Sequence, residues 1–437
     1  MIRLILGLCL ISKAVYGKFD PIAFTVSQST TTFSGAATIP YSDNITIHNA
    51  ATNIRNGIFT CPRDGIYKFS VFGCSAVSGH FALDLYKRNV SLATLYGHLN
   101  GGQVVSGNTV IVQLKVGDTV QVKSKNAATV SLQSSSKENT FSGVQLGSQA
   151  LYSGDHTVVA FSATSNHHQN VMGNNIVQYH TKLVADGGVL DLFTGVFTVR
   201  SSGYYVLHFA STSMQNEELW LDLFVNEDYV CSIYARADFE WASASNSVVL
   251  HLSAWDKAGV FSRAGRVSRL YGSADYIFTS FSGTQIVSDE DLNNPDTEPV
   301  VIFSVGLSMN ATVPSGKPVV FNRVFVDLKR AFNLNTGVFV VPVTGVYEFN
   351  YHCLARANSF LSLVLVKTNS WVNGFFHLRN TVHPFSAGNS AVLELTAGET
   401  VYVMSDYTYN YLVGATDEVY CTFSGYLLHS SGPIVIG

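Results

Sequence analysis

The chain has few charged residues, no long apolar run and no paired cysteine motif. Only 13% of its 437 residues are Asp, Glu, Lys or Arg, about half the usual share. It has no basic run of the kind that binds nucleic acid. No apolar stretch approaches the roughly 20 residues that a membrane-spanning helix needs. There is no CxxC and no metal-ligand spacing of Cys and His. We therefore expect neither a nucleic-acid-binding nor a membrane-spanning protein.

Motifs of common enzyme classes are also missing. The sequence has no HExxH, no GxSxG, no P-loop and no dinucleotide fingerprint, and no Gly-X-Y run that would form a collagen stalk. Its adjacent histidine pair, His167 and His168, lacks a third ligand at metal spacing and is predicted to lie in a polar loop. We predict a protein that is not an enzyme.

What the chain does have is strand-forming sequence. Hydrophobic residues make up 47% and aromatic residues 12%, with many Val, Ile, Thr, Tyr and Phe and few good helix-formers. This composition favours an all-β protein. The length exceeds what a single core serves and suits two to four domains.

The first 17 residues are typical of a signal peptide. Arg3 is followed by a short apolar run at 4–11 and by small residues at 15–17. We expect a secreted, extracellular chain that begins at Lys18. Without Arg3 and Lys13, 24 basic residues remain against 30 acidic ones, a net charge of −6. Secretion makes three Asn-X-Ser/Thr acceptors candidates for glycosylation: Asn44, Asn89 and Asn310.

Five cysteines remain in the predicted mature chain, an odd number that leaves at least one free or intermolecular thiol. They do not occupy equivalent places, so no shared disulfide framework is predicted, and most suit small buried positions. Cys353 and Cys421 belong to one repeat and are a candidate disulfide between its two sheets.

Three landmarks recur along the chain and mark a tandem repeat. An opening Phe stands at 24, 161 and 303, a Gly followed two residues later by Phe stands at 57, 195 and 337, and a closing Phe-Ser-Gly ends at 143, 283 and 425. The middle glycines are 138 and 142 residues apart, a domain-sized period that is too long for a solenoid. We predict three tandem domains: 18–147, 157–287 and 300–437.

A fourth landmark begins at Asn108, Asn246 and Asn389 and aligns without gaps. In repeats one and three a turn with Gly and an acidic residue follows it. Repeat two has Trp255-Asp256 instead, so we expect a turn of different shape there. The linker at 147–156 is polar. The linker at 288–299 is acidic and predicted to be a solvated connector, whose spacing does not fit a calcium loop.

The segment from Val346 to Cys353 alternates with period two. Tyr347, Phe349 and Tyr351 point one way while Glu348 and the other polar residues point the other way. This pattern predicts a strand with one buried face in an antiparallel sheet. Glycines before this strand and in the closing Phe-Ser-Gly indicate bends or close approach of another backbone. Many short strands in each repeat favour a two-sheet sandwich or jelly roll.

These residues resemble the globular head of complement C1q, a jelly roll related to tumour necrosis factor. The resemblance covers about residues 20 to 430. Repeat three matches the family signature throughout, at Phe321, Asp327, Phe332, Phe339, Gly345, Tyr347, Phe349 and Tyr351. Repeat two keeps Leu190, Phe197, Gly203, Tyr205 and Phe209 and is the most divergent, with departures at Tyr179, Ala185 and Leu207. Repeat one keeps Phe59, Gly65, Tyr67 and Phe69 and departs at Tyr41, Ile47, Thr52 and Val71.

The resemblance implies a non-enzymatic head that forms trimers and binds ligands on exposed loops. A secreted chain of heads without a stalk looks like a lectin-like pattern-recognition protein of innate immunity, with microbial polysaccharides or other glycans as ligands. Two other classes stay open: a cytokine-like ligand of a host receptor, and an extracellular-matrix or shell-associated structural protein. The three heads are expected either to close on each other as an intrachain pseudo-trimer or to trimerise between chains.

The resemblance also points to the stretches before the fourth landmark. Some family members bind calcium there through carboxylates, but here only Asp238 and Glu240 supply them, so no cofactor is expected. The candidate ligand-binding residues in these stretches are His98, Arg236, Asp238, His377 and Arg379, together with His383. Their cationic side chains would suit anionic sugars, and the alternative is that they are solvated loop residues.

Overall fold

The computed structural model describes residues 20–28, 31–33, 36–49, 54–98, 102–125, 130–132, 136–148, 158–187, 189–292, 294, 297–377 and 382–431. The predicted signal peptide, residues 1–17, lies outside this part of the chain. The described residues fold into three successive β-domains, as the repeat predicts.

Domain 1 contains eleven strands among the described residues. They are β1 Ala23–Gln28, β2 Thr31–Phe33, β3 Asp43–His48, β4 Ile58–Thr60, β5 Gly65–Cys74, β6 His80–Lys87, β7 Val90–His98, β8 Val105–Leu114, β9 Thr119–Ser124, β10 Val130–Leu132 and β11 Asn139–Ser148. One sheet has the order β3-β1-β11-β5-β8, the other has the order β4-β9-β6-β7, and β2 pairs with β10.

Domain 2 repeats this arrangement with twelve strands. They are β12 Ala160–Ser165, β13 Gln169–Met172, β14 Thr181–Asp186, β15 Val189–Asp191, β16 Val196–Thr198, β17 Gly203–Thr212, β18 Glu218–Val225, β19 Asp228–Arg236, β20 Ser243–Leu252, β21 Lys257–Ser262, β22 Val267–Leu270 and β23 Thr279–Ser288. Its sheets have the orders β14-β12-β23-β17-β20 and β15-β16-β21-β18-β19, and β13 pairs with β22.

Domain 3 follows a short helix, α1 Asp289–Leu292, and keeps the same order of strands. They are β24 Ile302–Gly306, β25 Ala311–Pro314, β26 Arg323–Leu328, β27 Phe332–Asn333, β28 Val338–Val340, β29 Gly345–Ala355, β30 Leu361–Lys367, β31 Ser370–His377, β32 Phe385–Leu395, β33 Thr400–Ser405, β34 Tyr409–Leu412, β35 Gly414–Ala415, β36 Glu418–Val419 and β37 Thr422–Ser430. One sheet runs β25-β34-β29-β37-β24-β26 with β32 beside β29, and the other runs β27-β28-β33-β30-β31.

Each domain has its own core between its two sheets, and the repeated aromatic residues fill it. Phe303 stacks on Phe339 with ring centroids 4.8 Å apart and meets Phe423 edge-on at 4.9 Å. The tyrosine that follows the repeated strand glycine closes one end of each core. Its hydroxyl donates to the carbonyl oxygen four residues earlier at 2.6 Å in all three domains, at Tyr67, Tyr205 and Tyr347. The predicted jelly-roll fold is confirmed.

The repeated strand is buried on both faces, which corrects the prediction of one buried face. All eleven residues of β29 are buried, including Glu348 and His352. Period-two alternation identifies the face that packs inside the sandwich, but it says nothing about a second domain covering the other face. In this chain the other domains cover it.

Equivalent asparagines join the three domains in a closed cycle. Asn108 of domain 1 accepts from Ser280 Oγ of domain 2 at 2.6 Å and donates to the Phe278 carbonyl oxygen. Asn246 of domain 2 does the same with Thr422 and Tyr420 of domain 3. Asn389 of domain 3 does the same with Thr140 and Glu138 of domain 1. The asparagine of the fourth landmark is therefore an interdomain residue, buried with its amide satisfied.

A small apolar cluster lies in each of the three interfaces between domains. Ile66 and Ile111 of domain 1 meet Ala160 and Val184 of domain 2. Equivalent clusters lie between domains 2 and 3 and between domains 3 and 1: Val206, Val249, Ile302, Val326 and Tyr426, and Val346, Val392, Ala23 and Val144. Each domain thus contacts both of the others through the same strands.

A charged pair lies where the three repeated strands converge. Lys68 Nζ of domain 1 is 2.7 Å from Glu348 Oε2 of domain 3, with the two side chains only 1% and 3% exposed. Tyr426 completes the cluster, because its hydroxyl accepts from Lys68 and donates to Glu348 at 2.8 Å. The equivalent position in domain 2 is Val206, so the three domains present a lysine, a valine and a glutamate at one register.

The turn at Trp255 has the same shape as its counterparts, so the prediction of a different turn is wrong. Gly117, Trp255 and Gly398 have φ angles of 83°, 77° and 91°. In each turn the acidic residue that follows caps the backbone N–H three residues earlier, at Lys115, Ser253 and Thr396. The carboxylate cap fixes the turn, and the tryptophan adopts a left-handed φ that L-residues disfavour.

Two other expectations change in detail. The acidic connector after domain 2 is partly structured, because α1 starts at a Ser288 cap and Asp289 pairs with His251 Nε2 at 2.9 Å. In the closing Phe-Ser-Gly, a side chain on Gly283 or Gly425 would collide with core residues such as Phe161 or Phe349. The close neighbours of these glycines are thus core side chains rather than another backbone.

Candidate functional site

Three equivalent strands end at the same end of the molecule. β7 ends at His98, β19 ends at Arg236 and β31 ends at His377. The cyclic packing brings these ends together, since Ser243 Oγ donates to the Tyr96 carbonyl oxygen at 3.3 Å and Ser386 Oγ donates to the Tyr234 carbonyl oxygen at 2.7 Å. The three strand ends before the loops that the sequence singles out therefore meet at one place, which we call the apex.

A small cleft lies at the apex where the three domains meet. It has a volume of about 30 Å³ and is lined by His98 and Val104 of domain 1, residues 235–237 and 241–243 of domain 2, and residues 384–386 of domain 3. A volume of this size holds a water molecule or one polar group. The cleft could therefore anchor one functional group of a larger ligand lying across the surface.

Glu240 organises the domain 1 side of the apex. One of its carboxylate oxygens is 2.7 Å from His98 Nδ1, and the other accepts from the Tyr96 hydroxyl at 2.9 Å. Burial and this carboxylate raise the pKa of Tyr96, so the phenol remains a hydrogen-bond donor. Trp241 packs edge-on against Tyr96 with ring centroids 4.9 Å apart. The result is a polar wall backed by aromatic rings.

Arg236 and Asp238 lie on the other side of the cleft. Asp238 Oδ1 is 3.1 Å from His383 Nε2 of domain 3. Arg236 lines the cleft, and its nearest carboxylate oxygen, on Glu218, is 3.9 Å from Nη1. The Nε–H of Arg236 is buried and has no hydrogen-bond partner among the residues that the structure describes. This guanidinium has spare donors beside the cleft.

The structure thus brings together three of the five candidate residues. His98 and Arg236 line the cleft, and Asp238 lies beside it. Arg379 and the side chain of His377 lie outside the described residues. Sequence reasoning noticed Glu240 but did not place it among the site residues, and it missed Trp241 and Phe385. Their position just before the fourth landmark is the only signal that could have found them.

The three glycosylation candidates are exposed. Asn44 lies on β3, Asn89 lies in the turn between β6 and β7, and Asn310 lies after β24. The side-chain oxygen of Asn310 accepts from the Gly414 backbone N–H at 3.1 Å. Modification of these residues remains a prediction.

Cys353 and Cys421 are buried free thiols in this structure, and the Cys421 thiol donates to the Leu354 carbonyl oxygen at 3.9 Å. Burial raises the pKa of Cys353 well above its ordinary value, so the thiol stays protonated and unreactive. The other three cysteines of the described residues, Cys61, Cys74 and Cys231, are also buried and free. Cys353 lies on β29 and Cys421 directly precedes the neighbouring strand β37, so a disulfide would join two strands of one sheet and not, as the sequence suggested, the two sheets. Its formation remains a prediction.

Metal-ligating side chains are dispersed over the described residues, where no three of His, Cys, Asp or Glu come together in a way that could hold an ion. His167 has His180 as a neighbour, with ring centroids 4.1 Å apart. Burial and the charge on His167 lower the pKa of His180.

Comparison with known proteins identifies the family. The sequence profile of the C1q domain matches residues 23–146, 160–285 and 302–428, which is most of the chain. The chain belongs to the C1q domain family. C1q domains are binding domains, and the profile match indicates no enzyme family. Within the described residues no helix is long and apolar enough to cross a membrane.

Individual relatives match one C1q domain at a time. The human complement C1q tumor necrosis factor-related protein 5 is 33% identical over 121 residues, which are 27% of this chain and 48% of that protein. The mouse collagen alpha-1(X) chain is 24% identical over 139 residues, 30% of this chain and 19% of that protein. The chain therefore spans less than half the length of these curated relatives.

Two solved structures each match about one domain of this chain. The globular domain of zebrafish complement 1qA is 25% identical, with 30% of this chain and 99% of that one covered and a TM-score of 0.26. The tumour necrosis factor Eiger from S. frugiperda is 13% identical, with 32% and 99% covered and a TM-score of 0.27.

Proposed function

We propose that the protein is a secreted recognition protein of innate immunity in which one chain forms a complete three-domain head. Its ligands are microbial polysaccharides or other glycans, bound across the apex. The observation that carries this proposal is the meeting of three C1q domains at one cleft. Polar side chains, aromatic rings and a guanidinium with spare donors meet there, and such a mixture suits a hydroxyl-rich ligand.

The one-chain head is supported by the charges at the domain junction. If domain 1 formed a trimer with copies of itself, three Lys68 side chains would converge in a buried space. Three copies of domain 3 would likewise bring together three Glu348 carboxylates. Like charges out of water repel strongly, whereas the mixed set of Lys68, Val206 and Glu348 is satisfied. The three domains are thus complementary to each other rather than to themselves.

Secretion is supported by the signal-like N-terminus and by the exposure of Asn44, Asn89 and Asn310. Secreted proteins carry glycans at such accessible positions. The five buried cysteines need no oxidising compartment, and they are equally compatible with one. The extracellular location thus rests on the sequence signal together with the accessible acceptors.

The test is binding of residues 18–437 to a panel of microbial polysaccharides, lipopolysaccharide, peptidoglycan and sialylated glycans, with and without a chelator. We expect saturable, competable binding by a protein whose solution mass is that of one chain. Arg236→Ala should weaken binding. Arg200→Ala is the control, because Arg200 stacks on Trp255 beyond the far end of β20, roughly 30 Å from the cleft.

Other outcomes discriminate the alternatives. If folded protein bound none of the glycans in the panel, the lectin-like function would be rejected, and a host receptor or a matrix partner would be favoured. A mass of three chains would reject the one-chain head. Equal loss of binding in the two arginine variants would move the ligand site away from the apex.

A further inference from the structure

Two arginines of domain 2 share one carboxylate next to the cleft. Glu218 Oε2 lies 3.9 Å from Arg236 Nη1, and its other oxygen lies 3.5 Å from Arg266 Nη1. Both distances are longer than a good charge-assisted hydrogen bond. The trio of Arg236, Arg266 and Glu218 therefore carries one positive charge that its own carboxylate does not offset.

The surrounding charges are engaged elsewhere. Arg269 pairs with Glu217 at 2.7 Å. Arg263 pairs with Asp417 of domain 3 at 2.8 Å and lies near Asp222. The nearby carboxylates of Asp238 and Glu240 face His383 and His98. The positive excess of the trio is therefore local to Arg236 and Arg266.

Both guanidiniums are positioned and accessible. Arg266 lies over the Trp220 ring at 5.1 Å, which restricts its side chain. The Arg236 and Arg266 side chains are 38% and 50% exposed, yet the Nε–H of Arg236 is buried and finds no partner in the described part of the chain. A buried donor without an acceptor costs free energy until a ligand supplies one. Two guanidinium forks next to each other match the oxygens of a carboxylate or a sulfate.

We propose that Arg236 and Arg266 together bind an anionic oxygen group, a carboxylate or a sulfate ester, on an acidic glycan. The glycan would continue from this pair into the apex cleft, which Arg236 also lines. This inference rests on the proposed function, and it specifies the ligand class: acidic glycans are bound in preference to neutral ones of the same backbone.

The experiment compares three polymers with one backbone: dextran, carboxymethyl-dextran and dextran sulfate. Wild-type residues 18–437 should bind at least one charged form about tenfold more tightly than dextran. Arg266→Gln should remove most of that difference. Arg269→Gln is the matched control, because it removes the same charge from a 42% exposed side chain whose carboxylate partner already neutralises it. It should change the affinity less than about twofold.

The outcomes separate this inference from the proposed function. Equal weakening by the two variants would show that only overall surface charge matters and would overturn the arginine pair. Binding of neutral glycans in the broad panel with no preference for the charged dextrans would overturn the acidic-glycan inference alone. The carboxymethyl and sulfate arms tell which anionic group the pair prefers.

Discussion

Removing Lys68 should destabilise the whole head, because it leaves a carboxylate without its counter-charge between three domains. Glu348 is 3% exposed, and in Lys68→Met its remaining polar contact would be the Tyr426 hydroxyl at 2.8 Å. Breaking a buried pair on one side costs about 3–5 kcal/mol. Replacing both partners, as Lys68→Met with Glu348→Leu, should restore most of that free energy, since an apolar junction of similar volume is often as stable as the pair.

The assay is thermal and urea unfolding of residues 18–437 together with the solution mass. The single variant should lose on the order of 10 °C in Tm and expose sites between the domains to limited proteolysis. Lys87→Met is the control, since Lys87 lies on the surface of the same domain, 3.4 Å from Asp118, and should cost no more than about 1 kcal/mol.

One result would refute the reasoning. If Lys68→Met were as stable as Lys87→Met, the pair would be solvated in solution. The three C1q domains would then behave as beads on a string rather than as one head. A double variant as unstable as the single one would instead show that the lysine stem, and not the charge, supports the junction.

Three further predictions concern an interdomain asparagine, two buried histidines and the turn at Trp255. Asn246→Leu should cost about 1–3 kcal/mol in urea unfolding, because it leaves the Tyr420 carbonyl oxygen and the Thr422 hydroxyl without a partner; an unchanged midpoint would contradict the asparagine cycle. Burial lowers the pKa of His352 to about 3. Burial, helped by the charge of Lys68, also lowers the pKa of His208. The unfolded chain therefore binds protons that the folded one excludes, and stability, full above about pH 6.5, should fall as pH decreases, by up to about 1.4 kcal/mol per pH unit for each group. Unfolding midpoints that stay flat from pH 6.5 to 4.5 would refute this. Trp255→Gly should raise the free energy of unfolding by up to about 1 kcal/mol, because glycine adopts this left-handed φ without strain. Losing the stacking of Trp255 on Arg200 would reduce that gain. A fall of more than about 1 kcal/mol in the free energy of unfolding would show instead that the fold needs the tryptophan.

The repeat and the jelly roll could be predicted because the aromatic core residues occur in the same order along the sequence of each domain. Phe303, Phe339 and Phe423 come from the opening, middle and closing landmarks, and they meet in the structure. The turn at Trp255 misled the prediction because a missing glycine was taken to mean a turn of different shape. The carboxylate of Asp256 carries the more informative signal, since it caps Ser253 as its counterparts do.

The domain junction could not be predicted from the alternation of one strand. In the sequence, a lysine, a valine and a glutamate at equivalent positions are typical of a solvent-exposed face. Only the structure, which places the three strands side by side, shows that they meet in a buried junction. The site was predictable only as far as the resemblance led, to His98 and Arg236. Glu218 and Arg266 lie on β18 and before β22, and nothing in their sequence positions links them to Arg236.

Three similar domains on one chain would present several similar sites acting by avidity if each domain bound the ligand separately. The apex argues for a different arrangement, because the equivalent strand ends do not carry the same residue: two end in a histidine, His98 and His377, and one ends in Arg236. Joining three domains in one chain lets each position of the trimer diverge separately, as Lys68, Val206 and Glu348 have done at the junction. A single chain would then present one asymmetric site. Any avidity would have to come from clustering whole chains on a surface that displays the ligand many times.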